Sequence, residues 1–298
     1  MKQNPIGIFD SGLGGLTVLK AIAGLLPDEG TVYLGDTARV PYGNKSRETI
    51  VRYCFENARF LLSHEIKLLV IACNTASAFA LEELKASLDI PVIGVIEPGA
   101  RACIAATRTG RIGVIGTEGT IKSNSYVNVL NALRGGKTNS IVEHGEKRYD
   151  RYFEIKTGTA RIFTKACPLF VPLAEEGWTN NDVAALTVER YLKGLKNEEI
   201  DALILGCTHY PLLKEAIARF MGGGVVLIDS AEATATEVRR TLVEKKIAND
   251  RPDTPRRSFF VTDSPERFIK VGRIFFGSGL NDAGLARLEA LDYGKEKK

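Results

Sequence analysis

The chain has 298 residues, 44% of them hydrophobic and 26% charged, an ordinary globular composition that excludes disorder and can bury substantial cores. At that length two compact domains are expected, because single cores stop growing at roughly 250 residues. The net charge of +4 is small, its basic pairs (Arg239-Arg240, Lys245-Lys246, Arg256-Arg257) lie among acids, and no run nears the roughly 20 apolar residues of a membrane span, so neither nucleic acid nor membrane is expected as a partner.

Met1-Lys2-Gln3-Asn4-Pro5 leads straight into a strand-like segment rather than a secretory signal, which makes the cytoplasm the expected location. In chain order, short apolar β-branched runs at 6–9, 31–34, 68–72, 92–95, 112–115, 202–205, 225–228 and 259–262 read as strands. Amphipathic stretches at 16–26, 46–63, 77–87, 98–107, 123–133, 182–195, 212–220 and 233–244 read as the helices between them. Ser46 followed by Thr49, and Asn181-Asp182 before an apolar stripe, are start signals. The alternation predicts an α/β fold with mainly parallel sheets. The C-terminal Gly294-Lys-Glu-Lys-Lys reads as a frayed tail.

Two pairs of segments suggest an internal duplication. Ile6-Gly-Ile-Phe-Asp-Ser-Gly resembles Ile112-Gly-Val-Ile-Gly-Thr-Glu-Gly, and Leu68-Leu-Val-Ile-Ala-Cys73-Asn-Thr resembles Ala202-Leu-Ile-Leu-Gly-Cys207-Thr-His. Each half thus runs an apolar strand into a cysteine, a hydroxyl side chain and a helix. Asp10 precedes Cys73 by 63 positions and Gly116 precedes Cys207 by 91, so the second half carries about 28 more residues. The segment 134–161, with Gly135-Gly136 and a charged run from Glu143 to Arg151, breaks the α/β rhythm and is expected to be an excursion on the surface.

The five cysteines (Cys54, Cys73, Cys103, Cys167, Cys207) contain no Cys-x-x-Cys pair, which disfavours zinc and a disulfide framework. In open parallel sheets ligands bind beyond the carboxyl ends of strands, near free helix N–H groups. Asp10-Ser11, Cys73-Asn74-Thr75, Thr117 and Cys207-Thr208-His209 all fall at such ends. A thiol at a helix N-terminus has its thiolate stabilised, so Cys73 and Cys207 are candidate reactive thiols rather than only small buried residues. Ser11, Asn74, Thr75, Thr117, Thr120 and Thr208 suit the carboxylates of a small amino acid, and Asp10 suits its ammonium group. Gly12-Leu-Gly-Gly-Leu-Thr17 fits neither the dinucleotide nor the Walker spacing. Pro41-Tyr42-Gly43 is either a plain turn or a turn that presents backbone N–H and a ring edge to a ligand. His209 lies two residues beyond Cys207, close enough to assist its proton, while Glu175 and Glu176 read by default as surface carboxylates.

Taken together, Phe9-Asp-Ser-Gly-Leu-Gly-Gly-Leu-Thr, Gly35-Asp-Thr with Pro41-Tyr-Gly, Ala72-Cys-Asn-Thr-Ala, Gly113-Val-Ile-Gly-Thr and Gly206-Cys-Thr-His-Tyr-Pro closely resemble the glutamate racemase family, over nearly the whole chain. The aspartate and hydantoin racemases share the two-cysteine plan without being expected to carry the full set. The resemblance implies two pseudo-symmetric three-layer α/β domains, residues 1–97 with 231–298 and residues 98–230, and an active site in the cleft between them. It implies a cofactor-independent racemisation in which one thiolate removes the α-proton and the opposite thiol returns one, with no metal. Carried over by motif, Cys73 would act on D-glutamate, assisted by Asp10, and Cys207 on L-glutamate, assisted by His209 and Glu175. Substrate contacts would come from Asp10, Ser11, Tyr42, Gly43, Asn74, Thr75, Thr117, Thr120, Thr208 and His209. The implied role is supply of D-glutamate for peptidoglycan. An aspartate racemase and a non-catalytic carboxylate-binding protein are the competing readings, and the oligomer is left open, a homodimer being the option carried.

Overall fold

The computed structural model describes residues 2–136, 138–147, 149–158, 160–251 and 255–289. The C-terminal Gly294 segment lies outside them. Two compact units are present, one of residues 1–95 and 234–298, the other of residues 96–233. Among the described residues no helix is long and apolar enough to cross a membrane.

The first unit begins with β1 (Ile6–Asp10), α1 (Leu16–Leu25), β2 (Thr31–Gly35) and a 3₁₀ turn at Tyr42–Asn44. Then come α2 (Arg47–Leu62), β3 (Leu68–Ile71), α3 (Asn74–Ser87) and β4 (Val92–Gly94). In the second unit follow α4 (Ile96–Ala106), β5 (Arg111–Gly116), α5 (Glu118–Lys122), α6 (Ser125–Arg134), β6 (Thr138–His144), β7 (Tyr152–Thr157) and β8 (Ala160–Ala166). It continues with α7 (Phe170–Glu175), α8 (Asp182–Asn197), β9 (Ala202–Gly206), a 3₁₀ turn at Tyr210–Leu213, α9 (Lys214–Met221) and β10 (Val226–Asp229). The chain closes with α10 (Ser230–Glu244), β11 (Arg257–Val261), α11 (Pro265–Phe276) and β12 (Gly284–Leu285).

The first sheet has the order β12-β11-β2-β1-β3-β4 and is parallel throughout. Its central strands β1, β2 and β3 are buried along their whole length, as strands covered by helices on both faces must be. Phe9, Leu34, Leu69, Ile71 and Cys73 join Ile50, Cys54, Leu61 and Ala80 of the covering helices in one core. Ser46 caps α2 by accepting from the Thr49 N–H, as its sequence signal predicts.

The second sheet has the order β10-β9-β5-β8-β7-β6, with β10, β9, β5 and β8 parallel and β7 and β6 antiparallel. Asn181 caps α8 through the Ala184 N–H. Within each sheet the strand that leads to a cysteine lies next to the central strand: Ile6 of β1 registers with Leu68 of β3, and Ile112 of β5 with Ala202 of β9. The duplication inferred from sequence is thus a duplicated strand order, β2-β1-β3-β4 matching β8-β5-β9-β10.

The segment 134–161 departs from expectation. It is a β-hairpin that extends the sheet, and β8 pairs directly with the central β5. Tyr152 and Ile155 are buried, so β7 belongs to the core, while the outer strand β6 exposes Ile141 and Val142. Charge hid it in the sequence. Glu154, only 4% exposed, accepts from Arg161 Nε at 2.7 Å and lies 3.3 Å from His144 Nε2, so ion pairing across neighbouring strands replaces the alternation that a strand otherwise shows.

Candidate active site

In the first unit the carboxyl ends of β1 and β3 carry the expected polar residues. Asp10 is fully buried and its Oδ2 accepts the Gly12 N–H at 2.9 Å, which ties the carboxylate to the glycine turn before α1. That turn needs glycine for space: a Cβ on Gly15 would lie 2.4 Å from Asp10 Cβ. Cys73 forms the N-cap of α3. Its sulfur accepts the Ala76 N–H at 3.5 Å and its thiol donates to Ser11 Oγ at 3.5 Å, so Ser11 and Cys73 share one site. Asn74 and Thr75, in the first turn of α3, are buried beside them.

Tyr33 and Asp36 extend this site, and sequence reading missed both. The Tyr33 hydroxyl donates to the Gly12 carbonyl at 2.9 Å. Burial, then the negative charge of Asp10 and of a Cys73 thiolate, push its pKa far up, so it stays a neutral donor. Tyr42 is 1% exposed and its hydroxyl donates to Asp36 while accepting from Asn57 Nδ2 at 3.0 Å. The Tyr42 hydroxyl is therefore engaged inside the protein, which leaves the backbone of the turn for the substrate contact expected of Tyr42 and Gly43. Asp36 also accepts Arg39 Nε at 2.7 and 2.9 Å and Thr262 Oγ1 at 3.0 Å, and Arg39 reaches on to Glu56 and Asn57. This network fixes the Pro41-Tyr42-Gly43 turn, in which Tyr42 is buried and Gly43 half-buried. No role was assigned to Tyr33, or to Asp36 of the Gly35-Asp-Thr motif, because in sequence a tyrosine inside an apolar strand and an aspartate after it look like core and turn.

In the second unit, Thr117 caps α5. Its Oγ1 accepts the Thr120 N–H at 3.2 Å and lies 3.0 Å from Thr120 Oγ1. Beyond β9 the duplication is imperfect. Cys207 is followed by a turn, closed by the Tyr210 N–H on the Cys207 carbonyl at 3.0 Å, and then by 3₁₀ backbone with Pro211 near its start, so no α-helix begins at this cysteine. Its thiol instead faces an imidazole: Cys207 Sγ lies 4.0 Å from His209 Nδ1, and His209 Nε2 lies 3.2 Å from Glu175 Oε1. Glu175, at the end of α7, is thus joined to the site and is not the plain surface carboxylate it resembled. Tyr210 secures this arrangement by donating to the Cys167 carbonyl at 2.8 Å and packing edge-on against Phe170. Thr208 is buried in the same turn, and Gly206 must be glycine because a Cβ there would lie 2.7 Å from the Ile115 carbonyl.

Two strand-end thiols, each supported by its own hydrogen-bonding turn, match a known family. The Asp/Glu/Hydantoin racemase model covers residues 13–238. The chain belongs to that family. A glutamate racemase from Geobacter metallireducens is 52% identical over 290 residues, 97% of this chain and 99% of its own. Among solved structures, a glutamate racemase of Bacillus anthracis superposes with a TM-score of 0.84 at 38% identity, covering 97% of this chain and 98% of its own. The glutamate racemase of Francisella tularensis, solved in complex with D-glutamate, gives 0.84 at 34% identity over 98% and 100%.

The other three cysteines of this racemase are buried structural residues. Burial pushes the Cys54 and Cys167 thiols far up and the Cys103 thiol up to about 12, so none supplies thiolate at neutral pH.

Proposed function

We propose that this racemase interconverts L- and D-glutamate by proton transfer at Cα without a cofactor. Inversion requires acid/base groups acting on opposite faces of Cα, and the two thiols that end β3 and β9 fill those roles. Cys73 takes the α-proton of D-glutamate and Cys207 that of L-glutamate. The observation that carries this reading is the equivalence of the two cysteines in the two sheets, in a chain 52% identical to a glutamate racemase.

The two thiols are served by different partners. The Ala76 N–H favours a Cys73 thiolate, with Asp10 assisting the proton transfer, whereas His209, oriented by Glu175, exchanges the proton with Cys207. Hydrogen-bond donors at Ser11, Gly43, Asn74, Thr75, Thr117, Thr120 and Thr208 hold the substrate carboxylates and meet the charge that develops as Cα–H breaks. Tyr42 contributes by placing Gly43. D-glutamate made in this way feeds peptidoglycan assembly in the cytoplasm.

The test is deuterium entry at Cα in D2O, followed by NMR together with the decay of circular dichroism. Wild-type protein is expected to exchange and racemise glutamate, and Cys73→Ala and Cys207→Ala each to lose about a hundredfold or more in rate. Full racemisation by either variant overturns the two-thiol mechanism, and faster decay with aspartate than with glutamate overturns the substrate.

A further inference from the structure

The second unit holds a cavity of about 750 Å³ that the racemase chemistry does not use. It opens at the carboxyl end of β8, walled by Phe153 and Arg151 of the hairpin, Leu169 before α7, Tyr191 of α8, Ile121 of α5 and the half-exposed Tyr149. Such a volume and an aromatic lining are those of a small-molecule site. Its charged lining is Arg151, Lys122 and Glu118, with further cations beside it. Arg190 and Lys147 sit over the Tyr149 ring at 5.5 and 5.8 Å, while Arg151 pairs with Glu143 and Lys122 with Glu118.

Behind the wall lies a second feature, the side chain of Lys165 on β8, which is 1% exposed. Its Nζ donates to the Arg151 carbonyl at 2.7 Å and lies 5.7 Å from the Tyr191 ring, so it sits between two residues of the cavity wall. An ammonium has three donors, and among the described residues only this one acceptor meets them. Asp150 acts on Lys165 from beyond ion-pair distance and itself accepts the Lys147 N–H at 2.8 Å. A buried cation so placed is stabilised by any anion that reaches it.

We propose that this cavity binds a small aromatic anion, its ring against Tyr149, Phe153 and Leu169 and its carboxylate or phosphate directed toward Lys165. The proposal does not rest on glutamate being the substrate. Both a carboxylate and a phosphate satisfy the same donors.

Calorimetric titration of the full chain with 1-naphthoate, 1-naphthyl phosphate and the uncharged 1-naphthol tests this. At least one of the two anions is expected to bind at about one equivalent and about tenfold or more tighter than naphthol, and which anion is tighter identifies the preferred head group. Lys165→Met, which keeps the volume, is expected to erase the difference between anion and naphthol. Tyr149→Ser, at the exposed rim where folding is not at stake, is expected to weaken all three probes. Equal binding of naphthol and both anions by wild-type protein overturns the proposal. So does anion binding that neither substitution weakens, or competition by D-glutamate, which places the probe in the racemase site instead.

Discussion

Cys207 Sγ and His209 Nδ1 lie 4.0 Å apart, and the far nitrogen of the same ring lies 3.2 Å from Glu175. Cys73 meets a different set: its sulfur accepts the Ala76 N–H of its own helix and its thiol donates to Ser11 Oγ. The two thiols of one duplicated fold are therefore prepared by different chemistry.

This asymmetry predicts the behaviour of Glu175→Gln. A glutamine keeps the shape but no longer stabilises the imidazolium, so kcat/KM is expected to fall about tenfold or more. Because the two enantiomers have equal free energy, kcat/KM must fall equally in both directions. The difference is expected in the isotope effects instead: the primary α-deuterium effect should rise for L-glutamate more than for D-glutamate. Equal changes for the two enantiomers would show that Glu175 only supports the fold.

Thiol reactivity should divide the five cysteines. Burial keeps Cys54, Cys103 and Cys167 protonated, with Cys103 raised to about 12. With iodoacetamide at about pH 8, native protein is expected to be labelled at Cys73 and Cys207 only, and D-glutamate to slow both. Peptide mass spectrometry reads the outcome site by site.

Tyr42→Phe removes the hydroxyl that bridges Asp36 and Asn57. Loss of a buried charge-assisted hydrogen bond is expected to cost about 1–3 kcal/mol in thermal unfolding. The glutamate KM should rise severalfold through displacement of Gly43, with kcat little changed. A hundredfold loss of kcat would instead make the hydroxyl part of the reaction.

Asp201 gives a pH signature for the second unit. Burial opposes its charge, but the Thr107 hydroxyl at 2.5 Å and the Thr109 and Arg108 N–H groups at 2.7 and 2.6 Å prevail and hold its pKa below the usual aspartate value. A folded pKa below the unfolded one means that the folded state binds fewer protons. The stabilisation is complete above about pH 4 and is lost as pH falls through the folded value. Asp201→Asn is expected to cost about 1–3 kcal/mol at neutral pH, and the gap from wild type to narrow in more acidic unfolding series.

The hairpin of β6 and β7 should not be removable. Deletion of residues 138–157 takes Tyr152 and Ile155 from the core and leaves β8 as a bare edge. Insoluble or unfolded protein, judged by gel filtration and far-ultraviolet circular dichroism, is the expected result.

The α/β class, the strands leading to Cys73 and Cys207, the caps at Ser46 and Asn181, and the placement of the candidate residues at strand ends were all readable in the sequence. Each rests on local information, either a run of buried β-branched residues, a capping side chain or a motif a few residues long. Only the tertiary structure decided the rest. The hairpin was invisible because Glu154 meets Arg161 and His144 on other strands, so charge there is no mark of exposure. The partners of the Tyr42 hydroxyl could not be read locally, because Asp36 and Asn57, 6 and 15 residues away, claim it only after folding. From its own surroundings Glu175 reads as a surface acid, and only the family resemblance marked it, because its partner His209 is 34 residues further on. Long-range pairing of polar groups follows from how the sheets place distant strand ends together, and no local pattern encodes it.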